Sequence, residues 1–312
     1  MNPAFSVIFL TTLCGVGQGL FLALFTVEAG ARFGVLPLPA SGFFVGGSML
    51  SLAFLAAGLI ASFWHLGHPE RAWRAIARWR TSWLSRECLA LPAFMAAVFF
   101  YGAARYTTSA AAPWLGLLGV VLCVVLFVCT AMIYACIKFL QEWHTPLTVV
   151  NYIVLGCASG FMLATAFAAV AAPVLAAPLG AGAIVLTVAG LAVRAATLMR
   201  NTRLRHKSTL QSAIGVKHPR IAQIAQGSIG GSFNTREFFH GRARTTLRAV
   251  KWLFLGLAFV LPVALVCAGL ATASVAVLIA AFAVQYAGLL LERWFFFAQA
   301  NHPQNLYYQV VS

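Results

Sequence analysis

Charge is what this sequence has least of. Of its 312 residues only 9% are charged, none is aspartate, and the acids are six glutamates. With 62% hydrophobic residues and a mean hydropathy of +0.89, the chain lacks the polar surface a soluble domain of this length requires. It reads as an integral membrane protein. Closely spaced cysteine pairs are missing too. Cys14, Cys88, Cys123, Cys129, Cys136, Cys157 and Cys267 form no C-x-x-C motif and lie mostly in apolar runs. Iron–sulfur clusters and structural zinc need clustered thiolates, so neither is expected on this chain; the cysteines read as small buried hydrophobes. No basic residue precedes the first apolar run, which begins at Ala4 and is long enough to span, so no separate secretory signal is expected.

What the chain does have is apolar runs of spanning length. At about 20 residues per span there are eight, over 4–28, 41–65, 87–105, 113–140, 147–171, 174–199, 250–270 and 273–297. The expected fold is all-α: one membrane domain, a polytopic bundle of eight transmembrane helices, the arrangement that satisfies backbone hydrogen bonding in lipid. Two connections are long, 66–86 and 200–249. Eight spans place both termini and these loops on one side. With Lys138, Arg194, Lys251 and Arg293 assigned there as well, that side carries 19 of the 21 Lys and Arg, leaving only Arg32 and Arg105 on the other. By the positive-inside bias it is the cytoplasmic side of a bacterial inner membrane. The net charge of +15 is then a topology signal, and nucleic acid is not an expected partner.

The ionisable groups crowd into Trp64–Glu87, which holds His65, His68, Glu70 and Glu87 with Arg71, Arg74, Arg78, Arg80 and Arg86. Such a cluster at a membrane surface is where proton or redox chemistry is expected. Gly67 and Pro69 end the second span after His65. From Glu70 to Trp83, helical spacing puts Trp73, Ile76, Trp79 and Trp83 on one face and Arg71, Arg74 and Arg78 on the opposite one, the pattern of a helix lying on the bilayer. Ser85 is placed to cap the third span, with Glu87 in its first turn near the level of His65. A quinone site needs a hydrogen-bonding group that titrates near neutrality, an apolar slot and a proton acceptor. His65 suits the first role and Glu87 the last. The plainer readings are an interfacial anchor for His65 and dipole complementation for Glu87.

Other polar positions carry the same pair of readings. Gln18, beside Gly15, Gly17 and Gly19, either packs a helix contact or lines a wet cavity. Glu28 either snorkels at the far interface or ends a proton path. Glu142 and His144 follow the fourth span with Lys138 and Trp143, either feeding protons to the site or anchoring the interface. Asn151 and Tyr152, opening the fifth span, are candidate supporting donors.

The segments Phe63-Trp64-His65-Leu66-Gly67-His68-Pro69 and Ser82-Trp83-Leu84-Ser85-Arg86-Glu87, with the arginines between them, resemble the signature of the dimethyl sulfoxide reductase anchor family, within the polysulfide reductase-like membrane subunits. Residues Asn2–Thr12 and Gly227–Phe238 are more specifically similar to anchors of cytoplasmic sulfite–quinone oxidoreductases. The resemblance runs over essentially the whole chain and implies eight helices. It implies a quinone-binding anchor in a three-subunit complex, with a four-cluster iron–sulfur subunit and a catalytic subunit carrying a molybdenum bis-guanine-dinucleotide cofactor. This chain would be the quinone-reactive subunit of that oxidoreductase and hold no sulfur-substrate centre. By motif, His65 and Glu87 correspond to the family's quinone residues, joined by Arg71 and Gly67, with Trp64, His68 and Arg86 beside them. The direction implied is sulfite oxidation to ubiquinone. The alternative is quinol oxidation, from menaquinone or ubiquinone, by an S-oxide or polysulfide reductase.

Partner docking is expected along Arg74, Arg78 and Arg80 and along Arg236, His240, Arg242 and Arg244 of the basic 200–249 loop. Two other classes compete. A transporter would show polar or Gly/Pro-broken positions at mid-membrane in both halves, whereas the ionisable groups here crowd one surface. A haem b subunit needs paired histidines, for which His65, His144 and His240 are the candidates.

Overall fold

In hydrocarbon every backbone N–H and C=O needs a partner within the protein. The computed structural model meets that need with helix, and no strand occurs among the described residues, which are 1–64, 66–205, 207–222, 224 and 238–307. Among these residues eight helices are long and apolar enough to cross a bilayer: α1 (Phe5–Arg32), α2 (Ser41–Phe63), α3 (Trp83–Tyr106), α4 (Ala112–Ala135), α5 (Pro146–Ala171), α6 (Ala176–Thr202), α8 (Arg244–Ala271) and α9 (Val275–Ala298). The short helices α7 (Leu210–Ile214) and α10 (Gln304–Tyr307) lie among the connections at the basic end.

Helix α1 is central, packed against α2, α4, α5 and α9. Its tightest backbone approach is to α5, where Gly15 and Gly19 meet Gly156 and Gly160, each pair spaced by four. A Cβ on Gly160 would collide with the α1 backbone at Gly19 and Leu20, and one on Gly19 would collide with the Gly156 carbonyl. Small residues here let two backbones touch, and packing of that kind drives helix association in lipid. Ser51 on α2 adds a bond to the Gly17 carbonyl at 2.8 Å.

In α8 the helix loosens to a π turn over Gly256–Val260 just before Pro262. Proline has no N–H to return to the Ala258 carbonyl, and Gln285 of α9 donates to that carbonyl instead, at 3.4 Å. A buried glutamine thus replaces a missing backbone donor.

Four apolar-run boundaries move by four residues or more: α1 runs on to Arg32, α8 begins at Arg244, and one end each of α3 and α4 shifts. The third span starts at Trp83, four residues before its apolar run, and is capped by Ser82, whose hydroxyl accepts from the Ser85 N–H at 3.4 Å. Ser85 is therefore not the cap, and Glu87 sits in the second turn. The fourth span ends at Ala135, because residues 136–145 turn back, with Leu140 and Trp143 buried among Tyr134, Phe296 and Phe297. Between α2 and α3 runs a 3-10 helix, Pro69–Arg78. With three residues per turn, Trp73, Ile76 and Trp79 align along one side. Arg78 falls out of line with Arg71 and Arg74, which an α-helical spacing groups together.

At the basic end the termini are tied together. The Met1 amine donates to the Ala300 carbonyl at 2.7 Å, Glu142 accepts from the Asn301 N–H at 3.2 Å, and Asn305 donates to the Phe238 carbonyl at 2.9 Å. Burial lowers the Met1 amine from 8.0 to about 6, against the opposing pull of Glu142, and lowers His240 and His302 below the usual histidine range.

Two outcomes follow from this packing. Gly160→Ala, forcing α1 and α5 apart, should destabilise the protein by about 1–3 kcal/mol or more, whereas Gly42→Ala, at an open position, should be silent; detergent-resistant thermal unfolding of both measures it. The unfolded chain binds protons at Met1 more readily than the folded one, so stability should rise with pH, chiefly between about 6 and 8. A melting temperature that falls across that interval would contradict the tie.

Candidate functional site

Glu87 is a half-buried carboxylate one turn inside the bundle from the basic end. Thr130 of α4 donates to its Oε1 at 2.5 Å. Behind it lies a chamber of about 20 Å³, walled by Thr11, Thr12, Cys14 and Gln18 of α1, Thr130 of α4, Tyr152 and Ser159 of α5 and Arg293 of α9. That volume suits one water molecule and is far too small for a quinone ring. A ring using Glu87 has to lie on the outer side of the carboxylate, with the chamber as its polar backing. Gln18 lines the chamber and donates to the Cys123 carbonyl of α4 at 3.1 Å.

The chamber's other charged side chain is Arg293, 5% exposed, with its guanidinium 3.8 Å over the Tyr152 ring. Its neighbour Glu292 lies 3.9 Å from the Arg293 Nε through one oxygen and pairs with Arg194 of α6 at 2.9 Å through the other, Glu292 and Arg194 each 1% exposed. Phe254 and Phe295 cover the Arg194 guanidinium at 5.5 and 5.9 Å. Arg293 and Arg194 are therefore buried cations of the bundle; the assignment of both to the loop face is corrected. Two arginines and two glutamates balance within this layer, which keeps ions tolerable in a medium where an unpaired one would cost several kcal/mol.

At the far end Glu28 is 1% exposed and neither snorkels nor opens outward. Arg105 pairs with it at 2.9 Å, Tyr101 donates to it at 2.7 Å, and Arg32 approaches to 3.8 Å. Between Gln18 and Glu28 the buried residues of α1 are Gly19, Leu20, Phe21, Ala23, Leu24 and Val27, none with a hydrogen-bonding side chain. The two polar layers are insulated from each other along this helix.

The remaining candidate residues separate. His65 and Arg236 lie outside the described residues. His68 Nδ1 and Arg71 close on Glu70, at 3.0 and 3.7 Å, on an exposed turn; they meet each other and not Glu87. Gly67 and Trp64 are exposed, and nothing lies within 4 Å of where a Gly67 Cβ would go. Arg86 binds the Trp79 and Arg80 carbonyls at 3.0 and 2.8 Å, tying the 3-10 helix to the start of α3. Arg74, Arg78, Arg80, Arg242 and Arg244 are exposed, as a docking role requires. His240 is 8% exposed, its Nδ1 accepting from the Arg242 N–H, so it does not present to a partner. Its expected docking role is corrected.

Glu142 belongs to the tie between the termini. His144 bonds the Ala135 carbonyl through Nδ1 at 2.6 Å, and Asn151 donates to Thr197 of α6 at 2.8 Å, away from the chamber. Every described histidine lies outside the eight spans, so no two described histidines face each other within the bundle. No group of three His, Cys or Glu side chains suited to a metal occurs among the described residues.

Thr130, Arg194, Glu292 and the chamber role of Arg293 escape a reading of the sequence. The signal is there for three of them, as ionisable residues within or at the edge of apolar runs. Nothing marks Thr130 until α3 and α4 are packed together.

An eight-span helical bundle with its charge gathered at one end is a multi-pass integral membrane protein. The profile of the DMSO reductase anchor subunit (DmsC) family matches residues 1–308. A sulfite dehydrogenase subunit of Allochromatium vinosum is 55% identical over 325 aligned positions that cover all of both chains. The chain belongs to the DMSO reductase anchor subunit family.

The buried pair generates a test. Removing one partner, by Arg194→Met or Glu292→Gln, should cost about 3–5 kcal/mol, while Arg194→Met with Glu292→Leu should cost much less because no charge is left stranded. Thermal unfolding of the three variants would show it, and equal losses in all three would contradict the pairing.

Proposed function

We propose that this chain is the quinone-reactive anchor of a three-subunit molybdoenzyme, passing electrons between an iron–sulfur partner and the quinone pool, with sulfite as the electron donor. The observation that carries it is Glu87: a carboxylate inside a span, half-open at one end, held by Thr130 and backed by a polar chamber with room for water. Reducing a quinone takes two electrons and two protons. Electrons arrive from the partner's clusters, since the seven cysteines here are dispersed. Protons need a group beside the ring, and Glu87 is that group. His65, assigned by resemblance, would hydrogen-bond the ring oxygen. The apolar slot is the surrounding helix surface and lipid.

Sulfite as donor is supported by the full-length 55% identity to a protein named as a sulfite dehydrogenase subunit. The positive-inside bias places the basic end, and with it the partner subunits, in the cytoplasm of a bacterial inner membrane. Exposed Arg74, Arg78, Arg80, Arg242 and Arg244 suit an acidic iron–sulfur subunit. The second reading runs the other way, from quinol to an S-oxide, and the family's own designation as a DMSO reductase anchor favours it.

Tagged protein purified from native membranes should bring down molybdenum and iron–sulfur subunits and reduce a ubiquinone analogue with sulfite. Glu87→Gln should lower that rate by about 10²-fold or more with the complex intact, and Thr130→Val by about tenfold through loss of one hydrogen bond to the carboxylate. S-oxide reduction by a quinol, without sulfite activity, would select the second reading. Full activity in Glu87→Gln would remove the site.

A further inference from the structure

Three span ends converge at the basic end around a basin that the quinone site does not use. Lys138, Phe139 and Gln141 follow α4, Lys207 and Ser208 follow α6, and Asn301, His302, Pro303, Asn305 and Leu306 follow α9; together they wall a cavity of about 350 Å³. A second cavity of about 190 Å³ shares Lys138, Gln141 and Lys207 and adds His144, Arg200 and Leu204. The shared residues make the two cavities neighbours.

The chemistry of the wall is one-sided. Lys138, Lys207 and Arg200 are cations, and no glutamate lines either cavity among the described residues. Arg200 is held in place by the Gln141 carbonyl at 3.1 Å and Asn201 at 2.9 Å. His302 accepts from the Gln304 N–H through Nδ1, which leaves Nε2 to carry the proton of the neutral ring. Its ring is stacked at 3.8 Å on Phe238. The Gln141 Oε1 is buried without a hydrogen-bond partner, an acceptor waiting for a donor. Phe139, Pro303, Leu306 and Leu204 supply apolar surface beside these groups. An occupant must be anionic, carry a hydroxyl donor, and have an apolar part, at the depth where helices leave the bilayer.

We propose that this basin binds the phosphate headgroup of an anionic glycerophospholipid, Lys138, Lys207 and Arg200 facing the phosphate, Gln141 accepting from a headgroup hydroxyl and Phe139 and Leu306 lying along the glycerol and upper acyl chain. Basic pockets between transmembrane helices at the headgroup level bind lipid in this way. A bound lipid would brace the ends of α4, α6 and α9 against each other, independently of what the quinone site does.

The test uses the native complex carrying this chain in nanodiscs of phosphatidylcholine, with or without phosphatidylglycerol. Phosphatidylglycerol should raise the melting temperature by about 2–4 °C and persist as bound lipid in native mass spectrometry. In Lys138→Glu/Lys207→Glu both effects should vanish. If that variant does not assemble, Lys138→Gln/Lys207→Gln, which removes the charge without reversing it, carries the same expectation. An unchanged response in the variant, or none in the wild type, overturns the proposal. The same stabilisation from inorganic phosphate in phosphatidylcholine alone would overturn the lipid as the source. Loss of a partner subunit in a variant whose parent ignores phosphatidylglycerol would give the basin to that subunit instead.

Discussion

The bundle depends on one contact, the meeting of Gly15 and Gly19 on α1 with Gly156 and Gly160 on α5. Lipid offers no hydrophobic force to press helices together, so association rests on close packing, and here the backbones themselves touch. That approach brings Thr11, Thr12 and Gln18 into the same space as Tyr152 and Ser159. The polar chamber behind Glu87 is what remains between these helices once they have closed, with α3, α4 and α9 completing the wall.

Charge inside the bundle is arranged in two layers with an apolar zone between them. One layer holds Glu87, Arg293, Arg194 and Glu292; the other holds Glu28, Arg105 and Arg32 around Tyr101. The cost of an ion in hydrocarbon forces each to find a partner or a wet space. Glu87 differs from the other glutamates of these layers in facing the polar chamber and in remaining half-open. Proton chemistry is proposed there for that reason, and the fully buried Arg194–Glu292 pair is read as structural.

Much of the architecture is legible as pattern. Apolar length marks eight spans, and Gly15, Gly17 and Gly19 mark a close helix contact without naming its partner. Glu87 stands out because carboxylates are scarce. Gly67 and Arg71, singled out by motif alone, have no contact with Glu87, and His240, a surface cation by loop pattern, has its ring buried beside Trp294. Loop charge pattern cannot tell an exposed ring from one folded under the end of a span. Arg293 is misplaced by pattern for a related reason: position near a span end says nothing of which way a long side chain turns.

The amino-acid sequence by itself determined class, span number and the face on which charge gathers, because hydropathy and charge are sums over residues that need no partner. Tertiary structure alone decided which charges neutralise which, that Ser82 and not Ser85 caps α3, that Thr130 serves Glu87, and that three distant span ends form one basic basin. Most of those are relations between residues far apart in the chain, such as Lys138 and Leu306 of the basin. Only the packing of helices, set by small residues and buried pairs, brings them together.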